Sequence, residues 1–381
     1  MSTHVGPVGL PIDGRERAAR EGWTRPVRSP ATGEPLWDLP DAGPADADDA
    51  VEAAWRAVHA TGWSTDGAMR VKALLGFQEA LVAESDRLAE LLATETGVPI
   101  ALRETYVDAP VAALRTGPGR ANPKVTAVIT PATSPIAVAL DEIGRTLVAG
   151  GAVVLKPAPE AARAAIEIGR IGLDFLPRGV LNVVATRDVD VAIGLTTDRR
   201  VDDVSFTGSA IVAERVKDAA THARKRVRVD TGAPQMIRAR DNRDLAEVVA
   251  RAAVTVATNA GQACRIPTSV VVPAFRFMEA REAAKEAMAA VAVGDPLDPA
   301  TVCGPLRSPV ARDRVLRYVA LAQSEGADIA AGGHALDRGG WWVAPTVIGG
   351  VSRDSRLVTE EVLGPVLMLV ADSRRGASAR A

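Results

Sequence analysis

KVTAVITPATSPIAVALDEIGRTLVAGGAVVLKPAPE, residues 124–160, changes its period twice. An apolar run of strand length ends at ITP, apolar residues then recur at helical spacing from Ile136 to Val148, and AVVLKP returns to a strand-length run. Proline and glycine punctuate each change, which predicts one strand–helix–strand unit. The alternation continues outward: a helix from Glu160 to Asp174, the run VLNVVA, a helix near 188–195, DDVSFTG, a helix from Ser209 to Ala223, and KRVRVDTG. Strand runs alternating with helices over about a hundred residues predict a doubly wound parallel sheet.

Polar residues gather at the carboxyl ends of these strands: Thr130 and Thr133, Lys156, Ser205 to Ser209, and Asp230. Ligands of open α/β sheets bind at that edge. Any one of these residues reads as an ordinary loop polar group; four strands sharing the trait point to a site.

Residues 1–45, rich in Gly, Pro and Asp, read as an extended arm with SPATGEP (29–35) as a turn between short strands. Helices are predicted from Asp46 to His59 and from Ala68 to Thr96, the second stopped by Gly97. After Gly232 a second α/β segment opens. It holds a helix from Asp244 to Thr258, the turn NAGQAC, the strand PTSVVVP, helices at 278–290 and 311–325, and the strands WWVAPTVIGGV and GPVLMLV. The fold class is therefore α/β: a doubly wound cofactor-type domain over 1–232, a second, C-terminally shortened α/β domain over 233–371, and a low-complexity, disordered tail over 372–381.

The 381 residues are 47% hydrophobic and 24% charged with a net charge of −2. Disorder, collagen and coiled coil are excluded, and without a basic excess a dedicated nucleic-acid binder is disfavoured. A small-molecule substrate is the natural partner. Neither a secretory leader nor an 18-residue apolar stretch is present, so secretion and membrane insertion are not expected. The two cysteines, Cys264 and Cys303, allow no disulfide framework and no metal knuckle, which fits a reducing cytoplasm and a site without metal.

Four groups could carry chemistry. Cys264, on a tight turn before an apolar strand, has the type and setting of a nucleophile, although most lone cysteines are buried small hydrophobes. Asp230 could serve as a general base or cap a turn. Lys156, one of only six lysines, could hold a ribose or phosphate, or simply snorkel to solvent. FTGS (206–209) places a glycine where a strand meets a helix N-terminus, a weak anion-site signal. The usual GxGxxG fingerprint is absent.

Taken in order, SPATGEP, ETGVP, ITPATSP, GGAVVLKPAPE, GVLNVV, VDDVSFTGS, KRVRVDTGAP, NAGQAC, VGDPLDPATVCGPL, WWVAPTVI and EEVLGPVL resemble the NAD(P)-dependent aldehyde dehydrogenase superfamily, collinearly from about residue 25 to 370. The resemblance implies oxidation of an aldehyde to an acid through a cysteine thiohemiacetal and thioester, with hydride transfer to NAD or NADP. It implies Cys264 as nucleophile, Asp230 where the family has a glutamate base, and Thr133 where it has an oxyanion-binding asparagine. Cofactor contacts fall on Ile129, Thr130, Pro131, Lys156, Phe206, Gly208, Ser209 and Val212, with Glu361 on the nicotinamide ribose and Leu363 replacing a phenylalanine beside the ring. Pro159 stands where many NAD-preferring members have an acidic residue, with Glu160 next to it, so the choice between NAD and NADP stays open.

The departures have physical consequences. Loss of one oxyanion donor typically costs about 2.7–4 kcal/mol, and a carboxylate misplaced by about 1 Å can cost about 100-fold. Only ALRETYVDAPVAALRTGPGRAN lies where the family has a longer insertion of its oligomerisation arm, and the family continues beyond GPVLMLV. A monomer or non-standard oligomer is expected, from either a specialised short member or a frameshifted chain. The alternative function is a catalytically impaired or repurposed relative, a pseudoenzyme or an acyl- or nucleotide-binding protein.

Overall fold

The computed structural model describes residues 8–372, which form two compact units. The first comprises the residues up to Arg28 with Pro35–Glu95 and Leu102–Thr231; the second comprises Ser29–Glu34, Thr96–Ala101 and the chain from Gly232 onward. The two short excursions, SPATGE and TGVPIA, thus cluster with the second unit although they lie early in the sequence.

In the first unit two hairpins, β1 (Leu10–Ile12) with β2 (Arg15–Arg17) and β3 (Thr24–Arg28) with β4 (Pro35–Pro40), precede α1 (Pro44–His59), α2 (Gly67–Ala83), α3 (Ser85–Thr96) and the short α4 (Ala109–Ala112). The helix predicted over 68–96 is broken at Glu84. There the Ser85 hydroxyl donates to the Leu81 carbonyl at 3.0 Å, a side-chain bond that competes with the helical ladder. The sheet follows: β5 (Val125–Ile129), α5 (Pro135–Val148), β6 (Ala152–Lys156), α6 (Ala162–Gly172), β7 (Leu181–Val183), α7 (Val189–Thr197), β8 (Asp203–Gly208), α8 (Ala210–His222) and β9 (Arg226–Thr231). Its order is β7-β6-β5-β8-β9 and every pairing is parallel.

Why these residues make a sheet covered on both faces is visible in β5 and β6, which are buried at every position, as continuous apolar runs in parallel sheets must be. Ile136, Leu140, Ile143 and Leu147 repeat at helical spacing along α5 and are fully buried. Each such side chain contributes about 1.5–3 kcal/mol on burial. The edge strand β9 is the exception, with no buried residue.

The second unit carries β10 (Gln235–Arg238), α9 (Leu245–Ala257), β11 (Pro267–Pro273), α10 (Phe277–Ala289), α11 (Pro309–Ser324), β12 (Asp328–Ala331), β13 (Thr346–Gly349), α12 (Arg356–Thr359) and β14 (Val366–Asp372), in sheet order β10-β11-β14-β13-β12 with only β12 antiparallel. The two-residue period of β14 divides the core. Val366, Met368 and Val370 join one cluster with Val315 of α11, while Leu367 and Leu369 join another with α9 and α10. Strands β10 and β12 have no counterpart in the sequence reading. Asp372, at the start of the predicted tail, instead ends β14 and pairs with Arg238; the rest of that tail lies outside the described residues.

Candidate active site

In the first unit, parallel register brings the carboxyl ends of four strands to one edge. Ile129 lies beside Lys156 on one side and Phe206 on the other, and Thr207 lies beside Asp230. Beyond Ile129 the chain turns through Thr130, whose N–H donates to the Lys156 carbonyl at 3.1 Å, then Pro131, Ala132 and the buried Thr133 before Ser134 opens α5. Asp230 is exposed at its strand end.

Several groups at this edge hold hydrogen-bonding capacity in reserve. Thr130 Oγ1 is buried without a hydrogen-bond partner. The buried Lys156 ammonium donates to the Pro157 carbonyl at 3.1 Å, leaving two of its three N–H groups for a ligand. Burial pushes its pKa below the ordinary lysine value, with nearby Glu160 opposing and Arg25 adding to the drop. Ser209 is the N-cap of α8 but makes no side-chain capping bond, so the amides of the first turn have no side-chain cap, and Val212 is exposed beside them. A Cβ on Gly208 would stand 2.7 Å from Phe206 Cζ. Unpaired donors and a close backbone approach suit a dinucleotide with its anionic pyrophosphate.

Arg25, which the sequence reading passed over, supports this edge: its Nη2 donates to the Pro159 carbonyl at 2.9 Å. It sits in the extended arm and no motif marks it.

In the second unit the nucleophile candidate rides on a strained turn. Asn259, Ala260 and Gly261 all take left-handed backbone angles, with φ of 52°, 50° and 69°, and Arg265, just after Cys264, has φ of 61°. Left-handed non-glycine residues cost of order 1–3 kcal/mol each and persist only where the surroundings enforce them. Gln262 supplies the enforcement. It is buried, its Nε2 donates to the Pro305 carbonyl at 3.1 Å, and its Oε1 accepts from Arg307 N–H at 2.9 Å. Asn259 N–H donates to the Val302 carbonyl at 3.0 Å. Gly261 tolerates no side chain, because a Cβ would lie 2.0 Å from the Gly364 carbonyl oxygen.

The outcome is an exposed Cys264 thiol. Cys303, by contrast, is fully buried and burial pushes its pKa up to about 12, which leaves Cys264 as the accessible thiol.

The same unit brings Glu361 and Leu363 to this turn. With Gly261, Ala263 and Arg265 they line a cleft with only about 10 Å³ of space. The Glu361 carboxylate packs so closely on Gly232 that a Cβ there would meet it at 1.9 Å. Half-burial raises the Glu361 pKa, with the Arg314 guanidinium pulling the other way. Helix α11 grips this segment from two residues one turn apart, a feature no motif announced. Arg314 donates to the Glu361 carbonyl, and Tyr318 donates to Glu360 Oε2 at 2.5 Å. Arg356 makes two further bonds to Glu360, of 2.7 and 3.0 Å; with Tyr318 they hold its carboxyl down at about 2.

A Rossmann-like parallel sheet with unpaired polar groups at its carboxyl edge and an α/β unit with an exposed thiol are the features expected of a dinucleotide-dependent oxidoreductase. The comparisons with known proteins agree. The profile of the aldehyde dehydrogenase family matches residues 18–123 and 120–374. A geranial dehydrogenase from Castellaniella defragrans is 31% identical over 375 residues, covering 90% of this chain and 77% of its own. The NADP(+) succinate-semialdehyde dehydrogenase of Escherichia coli is 28% identical, over 94% of this chain and 79% of its own. Among solved structures, the indole-3-acetaldehyde dehydrogenase of P. syringae, complexed with NAD+ and IAA, superposes with a TM-score of 0.90 at 29% identity, covering 97% of this chain and 81% of its own.

The chain belongs to the aldehyde dehydrogenase family. It is an oxidoreductase that oxidises aldehydes to acids with NAD or NADP.

Proposed function

We propose that Cys264 is the catalytic nucleophile, Asp230 the general base and Thr133 the oxyanion donor, with the cofactor held at the carboxyl edge of the first sheet. The observation that carries this reading is the exposed thiol on an enforced left-handed turn. The reserved donors at Thr130, Lys156 and the start of α8 support the cofactor assignment, together with Ile129, Pro131, Phe206, Gly208, Ser209 and Val212. Glu361 would hold the nicotinamide ribose, and Leu363 would flank the ring.

The chemistry follows from these groups. Cys264 Sγ, as thiolate, adds to the aldehyde carbon, and the Thr133 hydroxyl donates to the oxyanion so formed. Bound NAD(P)+ supplies the hydride acceptor. Collapse of the oxyanion leaves a thioester on Cys264. Asp230 then takes a proton from water, the water attacks the thioester, and the acid departs with the thiolate restored. A reducing cytoplasm suits a reactive thiol of this kind.

The catalytically impaired reading has no support among the relatives, which are named as dehydrogenases. The test is NAD(P)H formation by the full chain over a panel that includes geranial, octanal and succinate semialdehyde, the aldehydes that figure among its relatives. Turnover with one of them, lost by about 10⁴-fold or more in Cys264→Ala, is the expected result. Equal turnover in that variant would exclude Cys264 as nucleophile.

A further inference from the structure

The first sheet has a second concavity, at the strand ends opposite the proposed cofactor edge. Thr126, Asp203 and Arg226 lie side by side in register at the amino ends of β5, β8 and β9, and Arg228, two residues on, shares the face of Arg226. Helix α5 packs on β5 and β6 and contributes Arg145 to the wall. Arg120 and Lys124, on the segment entering β5, close another side. The concavity is half open to solvent and its volume is about 370 Å³, within the range of about 300–1,000 Å³ typical of small-molecule sites.

The charge of this cavity is its decisive feature. Five lining side chains are cationic and one, Asp203, is a carboxylate, in a chain whose net charge is −2. Three of the cations already face acids: Arg228 pairs with Glu142, Arg145 with Asp141 at 2.5 Å, and Lys124 with Asp202 at 3.7 Å. Among the described residues, Arg120 and Arg226 have no ion-pair partner. They are exposed on or beside β9, an edge strand with no buried residue, and the Asp203 carboxylate next to Arg226 in register is the one acid in the lining against them. Like charges held around one cavity favour a compact multivalent anion, and a guanidinium fork matches the oxygens of a phosphate two at a time.

We propose that this cavity binds a small di- or triphosphate-bearing metabolite. The site is separate from the cofactor edge: Arg226 and Asp230 are four residues apart on one strand, about 13 Å at roughly 3.3 Å per residue. The proposal does not depend on the roles given above to Cys264 and Asp230.

The test is calorimetric titration of the full chain with inorganic tripolyphosphate at low ionic strength, with and without saturating NAD+ or NADP+. The expected result is saturable one-to-one binding that neither dinucleotide weakens more than twofold. The affinity falls at least tenfold in the double variant Arg120→Ala/Arg226→Ala, which keeps its aldehyde turnover. Lys72→Ala/Arg199→Ala, removing two exposed cations elsewhere in the same unit, changes it less than twofold. Four results would overturn the proposal. They are no saturable binding, competition by the dinucleotide, an equal loss in the Lys72/Arg199 variant, and an affinity left unchanged in the Arg120/Arg226 variant.

Discussion

The two units reach their functional residues by opposite routes. In the first, Lys156, Phe206 and Asp230 lie at the ends of ordinary parallel strands, and register alone aligns them. In the second, the proposed nucleophile follows three consecutive left-handed residues, 259–261, that buried amide bonds and a glycine–carbonyl contact keep in place. An edge made by register needs no special backbone, so its chemistry can be altered without disturbing the fold. A turn made by enforcement links chemistry to stability.

That contrast can be broken or sharpened by substitution. Asp230 is exposed at a strand end, so Asp230→Asn leaves folding intact but removes the proposed base, lowering steady-state turnover by roughly 10²–10⁴-fold. Because the base acts on the thioester, the first-turnover burst of NAD(P)H persists in stopped-flow measurements; a burst lost in parallel with turnover would place Asp230 earlier in the reaction. Gly261→Ala drives a Cβ into the Gly364 carbonyl at positive φ. It lowers activity about 100-fold and stability by about 2–4 kcal/mol in urea unfolding. Gly208→Ala, at the register-built edge, meets only the tip of the Phe206 ring and costs about 1 kcal/mol. Equal losses for the two glycines would erase the distinction between the units.

Smaller effects follow at groups that bind rather than react. Lys156→Met removes a charged donor worth about 1.5–3 kcal/mol. It raises KM for the dinucleotide at least about tenfold and leaves kcat within a fewfold, as read from initial rates. A pH-dependent effect on stability alone concerns Glu95, a buried carboxylate that accepts from the Arg163 and Ala164 amides at 2.6 and 3.0 Å. Burial raises its pKa to about 7, against the pull of those amides and of Arg25 and Arg163. Because the folded state holds the proton more tightly than the unfolded chain, the associated stabilisation is complete below about pH 4.5. It is lost as pH rises through about 7, by up to about 3 kcal/mol. Glu95→Gln does not titrate, so its unfolding free energy falls less between pH 5 and 7 than that of the wild type.

Much of this was legible in the sequence because the physics is local. Buried parallel strands are continuous apolar runs, so β5, β6 and β8 announce themselves, and a polar residue closing such a run marks the ligand edge. Strands β10 and β12 did not, because both are short edge strands with no buried residue and none of that apolar run. The break at Glu84 is marked by a serine hydroxyl bond, which apolar periodicity does not register. Cys264 could be located from its motif, yet what holds it could not. Gln262 reaches partners 43 and 45 residues away, Arg314 reaches a carbonyl 47 residues away, and the partners of Gln262 are largely main-chain groups that leave no trace in residue identity.

In the proposed mechanism catalysis runs through a covalent acyl group on the exposed Cys264. Rapid acid quench of the full chain within the first turnover with a turned-over aldehyde and NAD(P)+, followed by proteolysis and mass spectrometry, tests it most directly. An acyl adduct is expected on the peptide bearing Cys264, at a stoichiometry matching the NAD(P)H burst, with Cys303 unmodified. An adduct on Cys303, or first-turnover NAD(P)H formation with no adduct on Cys264, would contradict it.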